Sequence, residues 1–249
     1  MPEDFAQASA HVRLGSNAGQ PRPRADGRLK VPGAAPYAAD NRPEGLIWAV
    51  FAKAPVARGR VSSLNLDAAL AHPGVIHVMT PANRPALAAD PDQRRSLFSW
   101  KLDALQSDAV RYAGQPVALV LAETLEAATE GARLLAPEID MQPARIGIDG
   151  GQPYEPQTVA MGAAPGFVKG DVEAGFAAAA QVVEAVFDTP EQYHNAMEPH
   201  AIVAAWDGDR LTVDTPNQAI VLSRAHYADY FGIPVENVHI RSPFLGGGF

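Results

Sequence analysis

Between residues 29 and 142 the apolar positions fall in short runs set between glycine, proline and charge, which predicts one small α+β unit. Residues 46–51 form a continuous apolar run with the reading of a strand. Residues 74–79 form a second, bounded by Pro73 and Pro81. Between them, Val61, Leu64 and Leu66 lead into the alanine-rich stretch 67–71, which predicts a strand running into a short helix. Residues 117–121 read as a buried strand after the Gln115-Pro116 punctuation. Thr124 then serves as an N-cap with Glu126 in the first turn. Leu125, Ala128, Ala132 and Leu135 share one helical face, although Gly131 inside that helix costs about 1 kcal/mol relative to alanine. Pro137 ends the helix and residues 138–141 return as a strand, a β-α-β order.

Periodicity fades between residues 143 and 169, where glycine and proline recur as in an irregular connector. Asp171 is a good N-cap for the alanine-rich helix that follows. Residues 182–187 read as a strand. The strongest hairpin signal is residues 201–206, then Asp207-Gly208, then 211–213 alternating with Thr212 and Asp214. A helix follows the turn at Thr215-Pro216-Asn217-Gln218. Val221, Leu222, Ala225 and Ala228 share a face of it, and Gly232 and Pro234 stop it. Residues 235–240 give a last strand, which feeds directly into Gly246-Gly247-Gly248-Phe249.

Composition narrows the classes. The chain has 249 residues, 47% of them hydrophobic, the usual level for a globular core. A formal net charge of -8 argues against a nucleic-acid or anionic-membrane partner and favours small molecules or proteins. The absence of cysteine removes disulfides, thiolate nucleophiles, iron–sulfur ligation and Cys-type zinc sites, so redox chemistry must come from a bound cofactor or another subunit. The first residues show no signal-peptide pattern, and no window approaches the ~18 apolar residues that span a bilayer. The expected location is the cytoplasm, or the periplasm if a partner carries the export signal. Residues 1–25, with Arg13, Arg22 and Arg24 among glycines and prolines, read as an extended arm.

Three constellations bear on chemistry. In residues 194–200, His194, Glu198 and His200 suggest zinc, but Pro199 breaks the continuous helix that an i, i+4 ligand pair needs. A hydrogen-bonded corner leading into a strand is the expectation there. Gln218 is an uncharged donor and acceptor at the mouth of a helix. The glycine run lacks both the G-x-G-x-x-G spacing and the Gly-Lys-Ser/Thr of a Walker loop. What remains is an amide-rich turn suited to the oxygen atoms of an anionic cofactor.

Taken together, several short stretches resemble the molybdenum-cofactor subunit of the xanthine dehydrogenase and aldehyde oxidase family, closest to the bacterial multi-subunit aldehyde oxidoreductases. They are residues 27–37 (GRLKVPGAAPY), 57–61 (ARGRV), 72–75 (HPGV), 110–118 (VRYAGQPVA), 197–200 (MEPH), Asn217-Gln218 and 246–249 (GGGF). Each is weak alone, and their order over nearly the whole chain makes them specific.

The resemblance implies an α+β protein in which residues 26–145 form an α/β hammerhead domain, 146–168 a linker, and 169–249 the first part of a molybdopterin-binding domain. It implies a molybdenum cofactor, with molybdopterin as such or as the cytosine dinucleotide. Gln218 would approach an oxo group of the metal, and Gly247, Gly248 and Phe249 would bring main-chain amides and a ring to the cofactor. The implied reaction is hydroxylation of an aldehyde or N-heterocycle with water as oxygen source. 2Fe-2S and FAD are expected on separate partner subunits. The base of that reaction is a glutamate placed beyond residue 249, so the catalytic set here is empty and this segment is expected to be inactive alone. The chain is expected to be either truncated or the natural half of a split molybdenum subunit whose remaining segment is another chain. A non-catalytic hammerhead module for assembly or binding is the other alternative.

Overall fold

The computed structural model describes residues 21, 23–89, 104–147, 150–159 and 162–249. Nearly all of the expected N-terminal arm lies outside the described residues. A short helix α1 (Gly27–Lys30) and a 3-10 turn (Ala38–Asp40) precede the first sheets. Strands β1 (Trp48–Lys53), β2 (Gly59–Ser63), β3 (Val75–Met79), β4 (Ala109–Val110), β5 (Pro116–Ala122) and β6 (Glu138–Met141) follow. Helix α2 (Leu66–Leu70) lies between β2 and β3, and α3 (Leu125–Leu134) between β5 and β6.

The apolar run at β5 makes it the central strand. It pairs antiparallel with β1 on one side and β3 on the other, so that Val120 lies opposite both Val50 and Val78. Val117, Ala118, Val120 and Ala122 are all buried, as a strand covered on both faces requires. Helix α3 packs on this sheet, with Thr124 Oγ1 accepting the Ala127 N–H at 3.1 Å as the expected N-cap. Gly131 has a packing reason. A Cβ built there would stand 2.9 Å from Val120 Cγ1 and 2.9 Å from Val75 Cγ2, so only glycine lets helix and sheet approach this closely.

Two expectations need correction here. Leu125 was placed on the buried face of α3, but it is 44% exposed and lines a groove, while Ala127, Ala128, Gly131 and Leu135 face the core. The β-α-β order is present, yet β5 and β6 do not share a sheet: β6 pairs with β2 in a second sheet of order β4-β2-β6. Buried Gln115 fixes the approach to β5, its Oε1 accepting from Arg111 N and its Nε2 donating to the Ala109 carbonyl, both at 2.7 Å.

Beyond the largely exposed connector, α4 (Val172–Ala178) begins with Asp171 Oδ1 accepting the Ala174 N–H at 2.9 Å. The predicted strand at 182–187 does not form. Its residues are all exposed and no neighbouring strand among the described residues offers a ladder, without which an extended segment gains no cross-strand pairs. The predicted hairpin does form, as β7 (Val203–Asp207) and β8 (Arg210–Asp214). Its two-residue loop is Gly208-Asp209, with Gly208 at φ 59° as such a turn requires.

Helix α5 (Ile220–Phe231) then crosses over to β9 (Val238–Arg241), which lies parallel to β8. The predicted last strand therefore starts late, because residues 235–237 form a 3-10 turn. Only one end of the apolar face expected for α5 is packed: Ala228 is buried, while Val221, Leu222 and Ala225 are exposed. Val221 is 78% exposed, whereas Ala228 is buried against Leu211, Val213, Val238 and Ile240, with Tyr227 beside it. Arg224 sits in this seam, donating to the carbonyls of Val238 and Val235 at 2.9 Å each.

The two units touch. Ala88 N donates to the Tyr230 carbonyl at 2.8 Å, and the Asn41 amide donates to Asp214. Asp214 also holds Arg241, so one carboxylate joins the 38–42 segment to β8 and β9.

Candidate functional site

The end of β9 carries the chain into the candidate site. Thr215 N donates to the Arg241 carbonyl at 3.1 Å, extending the register of β8 and β9 by one bond. Just beyond, Ser242 Oγ accepts the Asn217 N–H at 3.0 Å, while Asn217 donates to Ser223 Oγ at 2.8 Å and accepts from Ala219 N at 2.7 Å. Asn217 thus closes the turn into α5 in the manner of an Asx turn. That leaves the neighbouring Gln218 with a fixed backbone and an exposed side chain.

Gln218 reaches across to the glycine turn and donates through Nε2 to the Gly248 carbonyl. Glu198 holds the same turn from the other side. Its Oε2 accepts the Gly246 N–H at 2.7 Å, and its own N–H donates to the Gly246 carbonyl at 3.1 Å. The corner expected at residues 194–200 is therefore real and has a purpose in the fold. His200 Nδ1 lies 3.0 Å from the Glu198 carbonyl oxygen, and the rings of His194 and Phe249 are tilted at a centroid distance of 6.5 Å. Among the described residues no group of three or more His, Cys, Asp or Glu side chains converges to hold a metal ion.

The three glycines are required by these neighbours. A Cβ on Gly246 would lie 2.3 Å from Glu198 Cβ, and one on Gly248 2.4 Å from Gln218 Nε2. Gly247 stands at φ 129°, with Ala196 Cβ 2.9 Å from where its own Cβ would be. The turn is braced at both ends, by Glu198 at Gly246 and by Gln218 at Gly248. Among the described residues, the amides of Gly247, Gly248 and Phe249 find no acceptor, and Phe249 is 77% exposed. Free amides on a backbone stripped of side chains suit a ligand rich in oxygen.

Two concavities flank this region without including it. One, of about 660 Å³, is lined by Tyr37, Asn41, Asp214, Arg241 and Phe244. The other, of about 820 Å³, lies between β1 and β7 and is lined by Trp48, Phe51, Leu125 and Ile202. Neither is lined by Gln218 or Gly246–Phe249; the three glycines of the turn are half-buried and Phe249 is exposed.

Known proteins bear on this geometry. A family model described as the molybdopterin cofactor-binding domain matches residues 152–249, and one described as the a/b hammerhead domain of aldehyde oxidase and xanthine dehydrogenase matches 32–142. The chain belongs to the xanthine dehydrogenase and aldehyde oxidase family. It is 36% identical over 238 residues to the molybdenum-binding subunit of the Escherichia coli (strain K12) aldehyde oxidoreductase PaoC, covering 93% of this chain and 31% of that one. It is 27% identical to the large subunit of nicotine 6-hydroxylase from Paenarthrobacter nicotinovorans, covering 91% of this chain and 29% of that one. Quinoline 2-oxidoreductase from Pseudomonas putida 86 superposes with a TM-score of 0.71 at 24% identity, over 91% of this chain and 30% of that one. At that identity the likeness speaks for the fold. The chain spans about a third of the length of the curated relatives it matches. As in that family, an α+β hammerhead unit is followed by a molybdenum-binding unit. No helix among the described residues is long and apolar enough to cross a membrane.

Sequence reasoning had singled out Gln218 and the glycine turn, and the structure brings them into contact. It had passed over Glu198 as a working residue, and it had not linked Asn41, Asp214 and Arg241.

Proposed function

We propose that Gln218 and the amides of Gly247, Gly248 and Phe249 form one wall of a molybdenum-cofactor site. The whole protein would be a molybdenum hydroxylase that oxidises aldehydes or N-heterocycles with water as oxygen source. The observation that carries this reading is the braced glycine turn, which presents free amides beside a glutamine amide inside a family whose relatives are named as molybdenum-binding subunits. The residues present fit such a group: the amides of Gly247, Gly248 and Phe249 find no acceptor among the described residues, and the Gln218 amide stands beside them. Such a cofactor would supply the redox and oxygen-transfer chemistry, and this chain would hold it through the amides of Gly247, Gly248 and Phe249 and through Gln218.

The chain's own residues bind and orient. The amides offer hydrogen bonds to anionic oxygen and lie in positions fixed before the ligand arrives, so little ordering is paid at binding. Gln218 keeps one N–H and its carbonyl oxygen for a partner beyond Gly248. Electrons would leave through 2Fe-2S and FAD groups on partner subunits, and the pterin form would be molybdopterin or its cytosine dinucleotide.

Metal analysis and a screen of aldehydes and N-heterocycles on the protein copurified with its partners tests the reading. Stoichiometric molybdenum with turnover of either class supports it, and a preparation without molybdenum contradicts it. The 249-residue chain purified alone is expected to show no turnover, because it spans about a third of the length of the relatives it matches.

A further inference from the structure

Glu198 is only 7% exposed, and it is a carboxylate whose neighbours include no cation among its hydrogen-bond partners. Oε2 takes the Gly246 N–H, while Oε1 is fully covered and has no partner among the described residues. A buried acceptor left unsatisfied is costly, and folds keep few of them. Glu198 keeps its place because it is bonded twice to the same residue, by its main chain and by its side chain. These two bonds, with the 2.3 Å that a Cβ at Gly246 would leave to Glu198 Cβ, make the pair a clamp at the first residue of the turn. Gln218 grips the turn two residues later, at the Gly248 carbonyl. The amides of Gly247, Gly248 and Phe249, set between and just beyond these grips, find no acceptor among the described residues.

We propose that Glu198 is a positioning residue for the cofactor wall: its carboxylate sets where Gly247, Gly248 and Phe249 present their N–H groups, acting through Gly246 and touching no ligand itself. This rests on the reading of the turn as a molybdenum-cofactor wall. The geometry also predicts which substitutes succeed. Glutamine keeps an oxygen at the same reach and still accepts from Gly246 N. Aspartate is one methylene too short, and alanine has no acceptor.

The test is Glu198→Gln, Glu198→Asp and Glu198→Ala in the natural protein that carries this chain, isolated with its partners from cells grown with and without molybdate. Two quantities are read. One is hydrogen exchange at the Gly246 amide in the cofactor-free form. The other is the molybdenum electron paramagnetic resonance spectrum of the loaded form, which a loss of stability elsewhere leaves unchanged. E198A and E198D are expected to speed exchange by at least about tenfold and to alter the spectrum, with E198Q close to the parent in both. Unchanged exchange in E198A, or E198Q behaving like E198A, overturns the proposal whether or not molybdenum is bound. An absence of molybdenum from the parent protein would instead remove the functional reading, with the exchange result still deciding the clamp.

Discussion

Replacing Gly246 and Gly248 with alanine, one at a time, separates two obstacles that look alike in sequence. At Gly246 the added methyl meets Glu198 Cβ at 2.3 Å and Glu198 Cα at 3.2 Å, atoms that no rotamer change can move. Reaching ordinary contact at 3.4 Å requires the turn and Glu198 to part by ~1.1 Å, which stretches the 2.7 Å bond from Gly246 N to Glu198 Oε2 out of hydrogen-bonding range. Loss of that charge-assisted bond and weakening of the main-chain bond beside it amount to about 2–4 kcal/mol of local stability. At Gly248 the first obstacle is Gln218 Nε2, the far end of a flexible side chain that can swing aside, so only that one bond is at risk, about 0.5–1.5 kcal/mol. Hydrogen exchange at the amides of Glu198 and Gly246 reads the difference, with G246A accelerating exchange about 30- to 1,000-fold and G248A by about tenfold or less. Equal effects of the two substitutions, or a milder effect of G246A, would refute the reasoning. Removing the Glu198 side chain beyond Cβ should not rescue G246A, since Cβ itself is the obstacle.

Further outcomes follow from other parts of the molecule. Gly131→Ala gains about 1 kcal/mol of helix propensity but drives a methyl into Val120 and Val75, so urea unfolding should show a net loss of up to about 2 kcal/mol, and a gain in stability would contradict the close packing of α3. Asp214→Ala removes the acceptor shared by Asn41 and Arg241 and should destabilise by about 1–3 kcal/mol, with earlier proteolysis at residues 38–42; cleavage at the parent rate would show that this link carries no energy. Burial pushes the Tyr227 hydroxyl above its ordinary pKa of 10.0. The fold therefore favours the neutral phenol. Its contribution is complete below pH 10 and is lost as pH rises through the folded value, because the unfolded chain ionises first. Tyr227→Phe should flatten the alkaline fall in stability, and an unchanged slope in alkaline urea titrations would count against the burial.

The strand β5, helix α3 and the β7–β8 hairpin were legible because their signals are local: a buried apolar run, a threonine cap and a glycine-bearing two-residue turn. The partner of β6 was not, since strand pairing is decided at long range and the helix before β6 points equally to either sheet. The packed side of α5 was legible only at Ala228, for a definite reason. Arg224 counts as a solvent residue in any apolar-face argument, yet its guanidinium is satisfied by the Val235 and Val238 carbonyls at the seam. In the site, family likeness pointed to Gln218 and the glycines, but nothing in the letters MEPH says that the glutamate is buried against a glycine 48 residues away. A buried carboxylate whose side-chain partner is one main-chain amide has no sequence signature.

Residues 182–187 are apolar except for Glu184, and they pair with no strand among the described residues. Val183, Val186 and Phe187 are 85–90% exposed there. Soluble proteins rarely leave a stretch of this kind uncovered, because unpaired strands and bare aliphatic side chains invite association between copies. A stretch this bare is a self-association hazard for the chain on its own.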